Sequence, residues 1–185
     1  MARLTYIVGG ASSGKTRWAI TFFEKWDDVL YMTIEDNVDP DLMNRINHNC
    51  EKHGIEWDIR LAADNLSEMV KGRKFSILNN LGAYTNRIVQ QQCPDLSKMT
   101  DELRRKIEKQ VVNDMLDLTD QVKEDNGSLL IISTELGCCP IPSETEQWWF
   151  RKILCNVNQR VAHMCDEAYM ASSGMVMKMK GSAVG

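Results

Sequence analysis

The residues with the clearest chemistry lie together near the start of the chain, in Gly9-Gly10-Ala11-Ser12-Ser13-Gly14-Lys15-Thr16. They match G-x-x-x-x-G-K-[ST] without a gap, the pattern of a phosphate-binding P-loop. Glycines let the backbone turn successive N–H groups toward one point, where they cradle phosphate oxygens. Lys15 brings positive charge to the β- and γ-phosphates, and the Thr16 hydroxyl is a Mg2+ ligand. A helix beginning near Lys15 adds the partial positive charge of its N-terminus. The expected ligands are a nucleoside triphosphate, GTP or ATP, and Mg2+. The loop does not choose a reaction, because kinases, GTPases, ATPases and nucleotide-binding regulators all use it.

Such a loop works only between a strand and a helix, and the flanking residues supply both. Leu4-Thr5-Tyr6-Ile7-Val8 reads as a buried strand, and 16–25 carries Trp18, Ala19, Phe22 and Phe23 at helical spacing. Further strands are expected at 29–33, 75–78 and 129–133, the last being the most apolar run in the chain. Helices are expected at 39–51, 100–123 and 148–162. The long one shows Leu103, Ile107, Val111, Met115 and Leu118 on one stripe. Residues 167–171 and 176–179 read as a closing pair of strands, whose methionines Met170, Met175, Met177 and Met179 are expected to fill core. Strands alternating with helices predict an α/β domain with a mostly parallel central sheet and flanking helices.

A chain of 185 residues without repeats, low-complexity tracts or a credible linker suits a single domain, 1–185. Its net charge of −4 and pI near 5.4 give no reason to expect nucleic acid as a partner. No apolar run approaches the roughly 20 residues of a membrane span. The N-terminus lacks the longer apolar region of a signal peptide, so a cytoplasmic location is expected. Six cysteines are present, with no C-x-x-C pair among them, and free thiols rather than a metal cluster are expected.

With these elements in place, Ile7-Val8-Gly9-Gly10-Ala11-Ser12-Ser13-Gly14-Lys15-Thr16-Arg17 resembles the start of the bifunctional adenosylcobinamide kinase/adenosylcobinamide-phosphate guanylyltransferases. Thr134-Glu135-Leu136-Gly137 with Ile141-Pro142 resembles the family's N-E-V-G-x-G-I-V-P. Phe150-Arg151 with Asn158-Gln159-x-x-Ala162 resembles F-R-D-x-x-G-x-x-N-Q-x-x-A, and Ser173-Gly174 with Lys178 resembles its closing S-G-x-x-x-x-[IL]-K. With Val29-Leu30-Tyr31-Met32 and Arg45-Ile46, the likeness runs along most of the chain. It implies a RecA-like P-loop NTPase fold and a homotrimer. It also implies a corrinoid substrate, adenosylcobinamide, whose aminopropanol hydroxyl is phosphorylated. GMP is then transferred from GTP to that phosphate through a guanylylated histidine. The apolar Trp148-Trp149-Phe150 cluster is expected at a subunit boundary.

The departures fall where that chemistry would sit. The family's R-I-x-x-H-x-x-x-R-P-x-x-W fits Arg45, Ile46 and Trp57, but Asn49 stands at the histidine position. An amide cannot form the phosphoramidate that an imidazole can. His48 is the neighbouring imidazole and the candidate catalytic substitute, although adjacent helical residues point about 100° apart. Asn79 stands where the family has an acid that serves Mg2+ or its water. Glu35, Asp36 and Glu135 are the carboxylates that remain, with Glu135 at a strand end and a catalytic candidate. Glu35, Asp36, Asn49, Asn79 and Arg151 join the P-loop as candidate nucleotide contacts. Three readings follow. The preferred one is an enzyme of cobalamin assembly or salvage, a kinase with or without guanylyl transfer. The alternatives are a non-catalytic nucleotide-binding relative and a P-loop kinase or NTPase acting on another small molecule.

Overall fold

The most apolar runs become neighbouring strands at the centre of one sheet. In the computed structural model, which describes residues 2–35 and 38–181, these are β2 (Val29–Thr33), β4 (Phe75–Asn79), β5 (Ser128–Thr134) and β1 (Arg3–Gly9), side by side and parallel. β3 (Trp57–Leu61) adds one edge in parallel. β6 (Glu167–Ser172) adds the other, followed by the antiparallel β7 (Met175–Lys180), giving the order β3-β2-β4-β5-β1-β6-β7. Parallel strands covered on both faces read as continuous apolar runs, which is why β2 is buried at every residue.

The two faces take alternate side chains. Ile7, Tyr31, Ile77, Leu130 and Ile132 face α1 (Lys15–Phe22) and α2 (Pro40–His53). Tyr6, Leu30, Leu78, Leu129 and Ile131 face the other layer. That layer is built from α3 (Leu66–Val70), α4 (Leu81–Gln92), α5 (Asp101–Glu124) and α6 (Thr145–Met164). The result is the expected α/β architecture, a mostly parallel sheet with helices on both faces, with β5 between β1 and β4.

Three elements do not announce themselves in the sequence. β3 is an edge strand with no apolar run, its Asp58 salt-bridged to Arg60 and to Arg73. Edge strands of this charged kind resist pairing with other chains. The five-residue α3 is too short to show a period. α4 starts at a polar cap, where the Asn80 side chain accepts a hydrogen bond from Ala83 N at 2.7 Å. The closing methionines also differ from expectation. Met175, Met177 and Met179 are 68%, 52% and 66% exposed, because they share the outward side of the edge strand β7. Asp36 lies outside the described residues.

Candidate nucleotide-binding site

Gly9 ends β1 and Lys15 opens α1, so the loop between them sits at the C-terminal edge of the sheet, where open α/β folds bind ligands. Two glycines are required by geometry. A Cβ on Gly9 would lie 2.5 Å from both the Ala171 carbonyl and the Ser13 hydroxyl. Gly14 has φ +93° and passes so close to Gly174 that a Cβ would sit 3.2 Å from its Cα. The Gly174 amide donates to the Ser13 carbonyl at 3.0 Å, pinning the β6–β7 turn against the loop.

Two groups in this loop are poised for an anion. The Lys15 ammonium donates to the Gly10 carbonyl at 2.8 Å, and its partial burial lowers its pKa below the ordinary lysine value. The Ser13 hydroxyl is buried without a partner among the described residues. A buried polar group left this way costs stability until a ligand or water satisfies it.

Above the loop lies a cleft of about 870 Å³, within the range of small-molecule sites. α2 forms its far wall through Asp39, Asp41 and Arg45. Asp39 also caps α2, accepting from Asp41 N at 3.0 Å. Asn79 and Thr134, at the ends of β4 and β5, line it from the sheet. The buried Asn158 holds that floor, accepting from the Ser133 hydroxyl at 2.6 Å and donating to the Thr134 carbonyl at 3.0 Å. Among the described residues, no group of three or more His, Cys, Asp or Glu side chains is placed to hold a metal. What fits instead is a Mg2+ ion that arrives with the triphosphate, since this ion commonly takes phosphate oxygens, waters and few protein ligands. Thr16, in the first turn of α1 and lining the cleft, is the protein ligand this arrangement offers.

The sequence model of the cobinamide kinase / cobinamide phosphate guanyltransferase family matches residues 5–179. The chain belongs to that family. Two curated relatives, both called bifunctional adenosylcobalamin biosynthesis protein CobU, are similar over nearly their whole length. The one from Escherichia coli K12 is 23% identical over 179 residues, spanning 94% of this chain and 98% of the relative. The one from Salmonella typhimurium LT2 is 24% identical over 189 residues, with the same coverage. Among solved structures, a KaiC-like protein, PH0186 from Pyrococcus horikoshii OT3, superposes with a TM-score of 0.49 at 13% identity. That match covers 91% of this chain and 70% of the other.

Within this family member, the residues singled out by sequence divide into two groups. The P-loop residues Ser12 to Thr16 and Asn79 line the cleft. Asn49 does not line it. It is 8% exposed, on the stripe of α2 that carries Leu42 and Ile46 into the core, and its Nδ2 donates to the Glu24 carbonyl at 3.2 Å. It ties α2 to the turn after α1. His48 is exposed on the stripe that carries Asp41 and Arg45, but it is not among the residues lining the cleft. Glu35 is exposed and borders a smaller hollow of about 110 Å³ beside Asn79 and Asn80.

Glu135 and Arg151 lie at the loop after β5 and in α6, respectively. The Glu135 carboxylate accepts from Gly137 N, and Arg151 donates to the Gly137 carbonyl at 2.9 Å. Both side chains contact the loop after β5, and neither lines the cleft. Sequence reasoning passed over Asp39, Asp41, Trp18 and Thr134 as site residues. The cap pattern of Asp39 and Pro40 and the i, i+4 spacing of Asp41 and Arg45 were the available signals for the far wall.

Proposed function

We propose that this chain is a nucleotide-dependent phosphotransferase of cobalamin biosynthesis or salvage, whose acceptor is the hydroxyl of a cobinamide-type corrinoid. The observation that carries it is the ungapped P-loop, with Lys15 and the unpartnered Ser13 hydroxyl, beneath a cleft with room for more than phosphates. In this reading Lys15 exchanges the Gly10 carbonyl for phosphate oxygens, and Thr16 holds the metal. Bound Mg2+ supplies positive charge that offsets charge building on the transferred phosphoryl group. The loop amides and the α1 N-terminus add fixed dipoles on the same side. A cytoplasmic location belongs to the same reading. Among the described residues, no helix is long and apolar enough to cross a membrane.

Incubation with cobinamide and ATP or GTP labelled in the γ-phosphate is expected to move label onto the corrinoid. Tight nucleotide binding with no transfer would overturn the kinase reading. It would favour a nucleotide-binding relative, a reading supported by Asn79 in place of a carboxylate at the end of β4.

A homotrimer is part of the proposal, supported by the family resemblance and by Trp148, which is 37% exposed and packs edge-on to Trp149 at 4.8 Å. Sedimentation at tens of micromolar, about the working range for weak oligomers, is expected to show a trimer. A monomer throughout would remove that part.

A further inference from the structure

The cleft has a second kind of surface that phosphate binding leaves unused. Trp18 lies three residues beyond Lys15 on α1 and lines the cleft while only partly buried. It is the one aromatic side chain among the described residues that do so. Its ring contacts two others, Phe22 at 5.0 Å and Tyr169 at 4.7 Å between centroids, both tilted by a little over 40°. A ring braced by two neighbours has its orientation set before any ligand arrives, so little side-chain entropy remains to be lost on binding. Val176 of β7 lines the cleft on the same side and packs into the same cluster. Gly174 lies between Val176 and the P-loop and contributes no side chain. Its amide contact with Ser13 fixes this wall relative to the loop.

The opposite wall is of different character, with Asp39, Asp41 and Arg45. A nucleotide carries, besides the phosphates that the P-loop would hold, a base with an apolar π-face. We infer that Trp18, with Val176 beside it, is the platform on which the nucleobase of the bound triphosphate stacks. This rests on the P-loop reading above and adds the subsite that distinguishes a nucleotide from bare polyphosphate.

The test compares Mg2+ complexes of ATP, GTP and inorganic tripolyphosphate by calorimetry. Trp18→Ala and Trp18→Leu should each weaken ATP and GTP about tenfold, the loss expected for one base–aromatic stack, with tripolyphosphate unchanged. Trp18→Leu keeps apolar filling against Phe22 and Tyr169 but has no π-face, and Trp18→Phe should stay close to the parent protein. Nucleotide affinity unchanged in Trp18→Leu would overturn the platform. So would a loss of tripolyphosphate binding in step with ATP, which would mean that Trp18 acts by shaping the P-loop. A parent protein that binds none of the three ligands would instead overturn the P-loop reading beneath it.

Discussion

Replacement of Lys15 by alanine is expected to weaken ATP and GTP binding about a hundredfold, measured by calorimetry in the presence of Mg2+. The side chain supplies a charge-assisted contact in a partly desolvated loop, where such hydrogen bonds contribute about 1.5–3 kcal/mol, and each 1.4 kcal/mol is tenfold in affinity. Its only hydrogen bond among the described residues is to the Gly10 carbonyl, so folding has little to lose. The thermal midpoint of Lys15→Ala without nucleotide should stay near that of the parent. This separates a binding defect from a folding one. Burial already disfavours the charged form and lowers the Lys15 pKa. Phosphates favour the charged form, so binding takes up a proton once the pH exceeds that lowered value. Affinity in the parent should then fall with rising pH sooner than an exposed lysine would allow, and Lys15→Ala should lose that part of the profile. Equal affinity in parent and variant would sink the assignment of the loop.

The strength of this first prediction reflects how much of the site was written in consecutive residues. A P-loop is local: its glycines, lysine and threonine carry their meaning by spacing alone, and β1 and α1 flank it in the sequence itself. The central strands were legible for a related reason, since burial on both faces leaves unbroken apolar runs such as Leu129 to Ile132. β3 was not, because an edge strand carries charges where a central one carries valine or isoleucine. The far wall of the cleft depended on the rotation of α2, which no single residue states. Leu42 and Ile46 turn one stripe into the core, and that commits Asp41 and Arg45 to the cleft and Asn49 to the turn after α1. Glu135 and Arg151 were placed by motif spacing, but each finds its hydrogen bond within the loop that follows β5. Spacing shows which residues travel together; it does not show whether they face a ligand or one another.

The rotation of α2 governs the second large effect, an expected impairment in forming a covalent guanylyl-enzyme. Incubation with GTP labelled in its α-phosphate, then denaturation in alkali, is expected to leave little label on the protein. Alkali matters because a phosphoramidate survives base and is lost in acid. The family resemblance puts the acceptor imidazole at position 49, and here that residue is an amide, buried and hydrogen-bonded to the Glu24 carbonyl. It has neither the nucleophilic nitrogen nor the exposure that the step requires. His53, in the last turn of α2, has its Nε2 buried without a partner among the described residues. His48 alone of these is an exposed imidazole, seven residues from Asp41 and three from Arg45 on a common stripe of α2. Stoichiometric label that disappears in His48→Ala would therefore overturn the prediction and make His48 the acceptor. Label lost only in His53→Ala would overturn it too, and would require α2 to turn that ring out of its buried position. With little label and the γ-phosphate still passing to cobinamide, the chain retains the kinase half of a two-step chemistry. In that outcome the P-loop serves phosphoryl transfer, while Asn49, at the position the resemblance assigns to the acceptor imidazole, anchors α2 to the turn after α1.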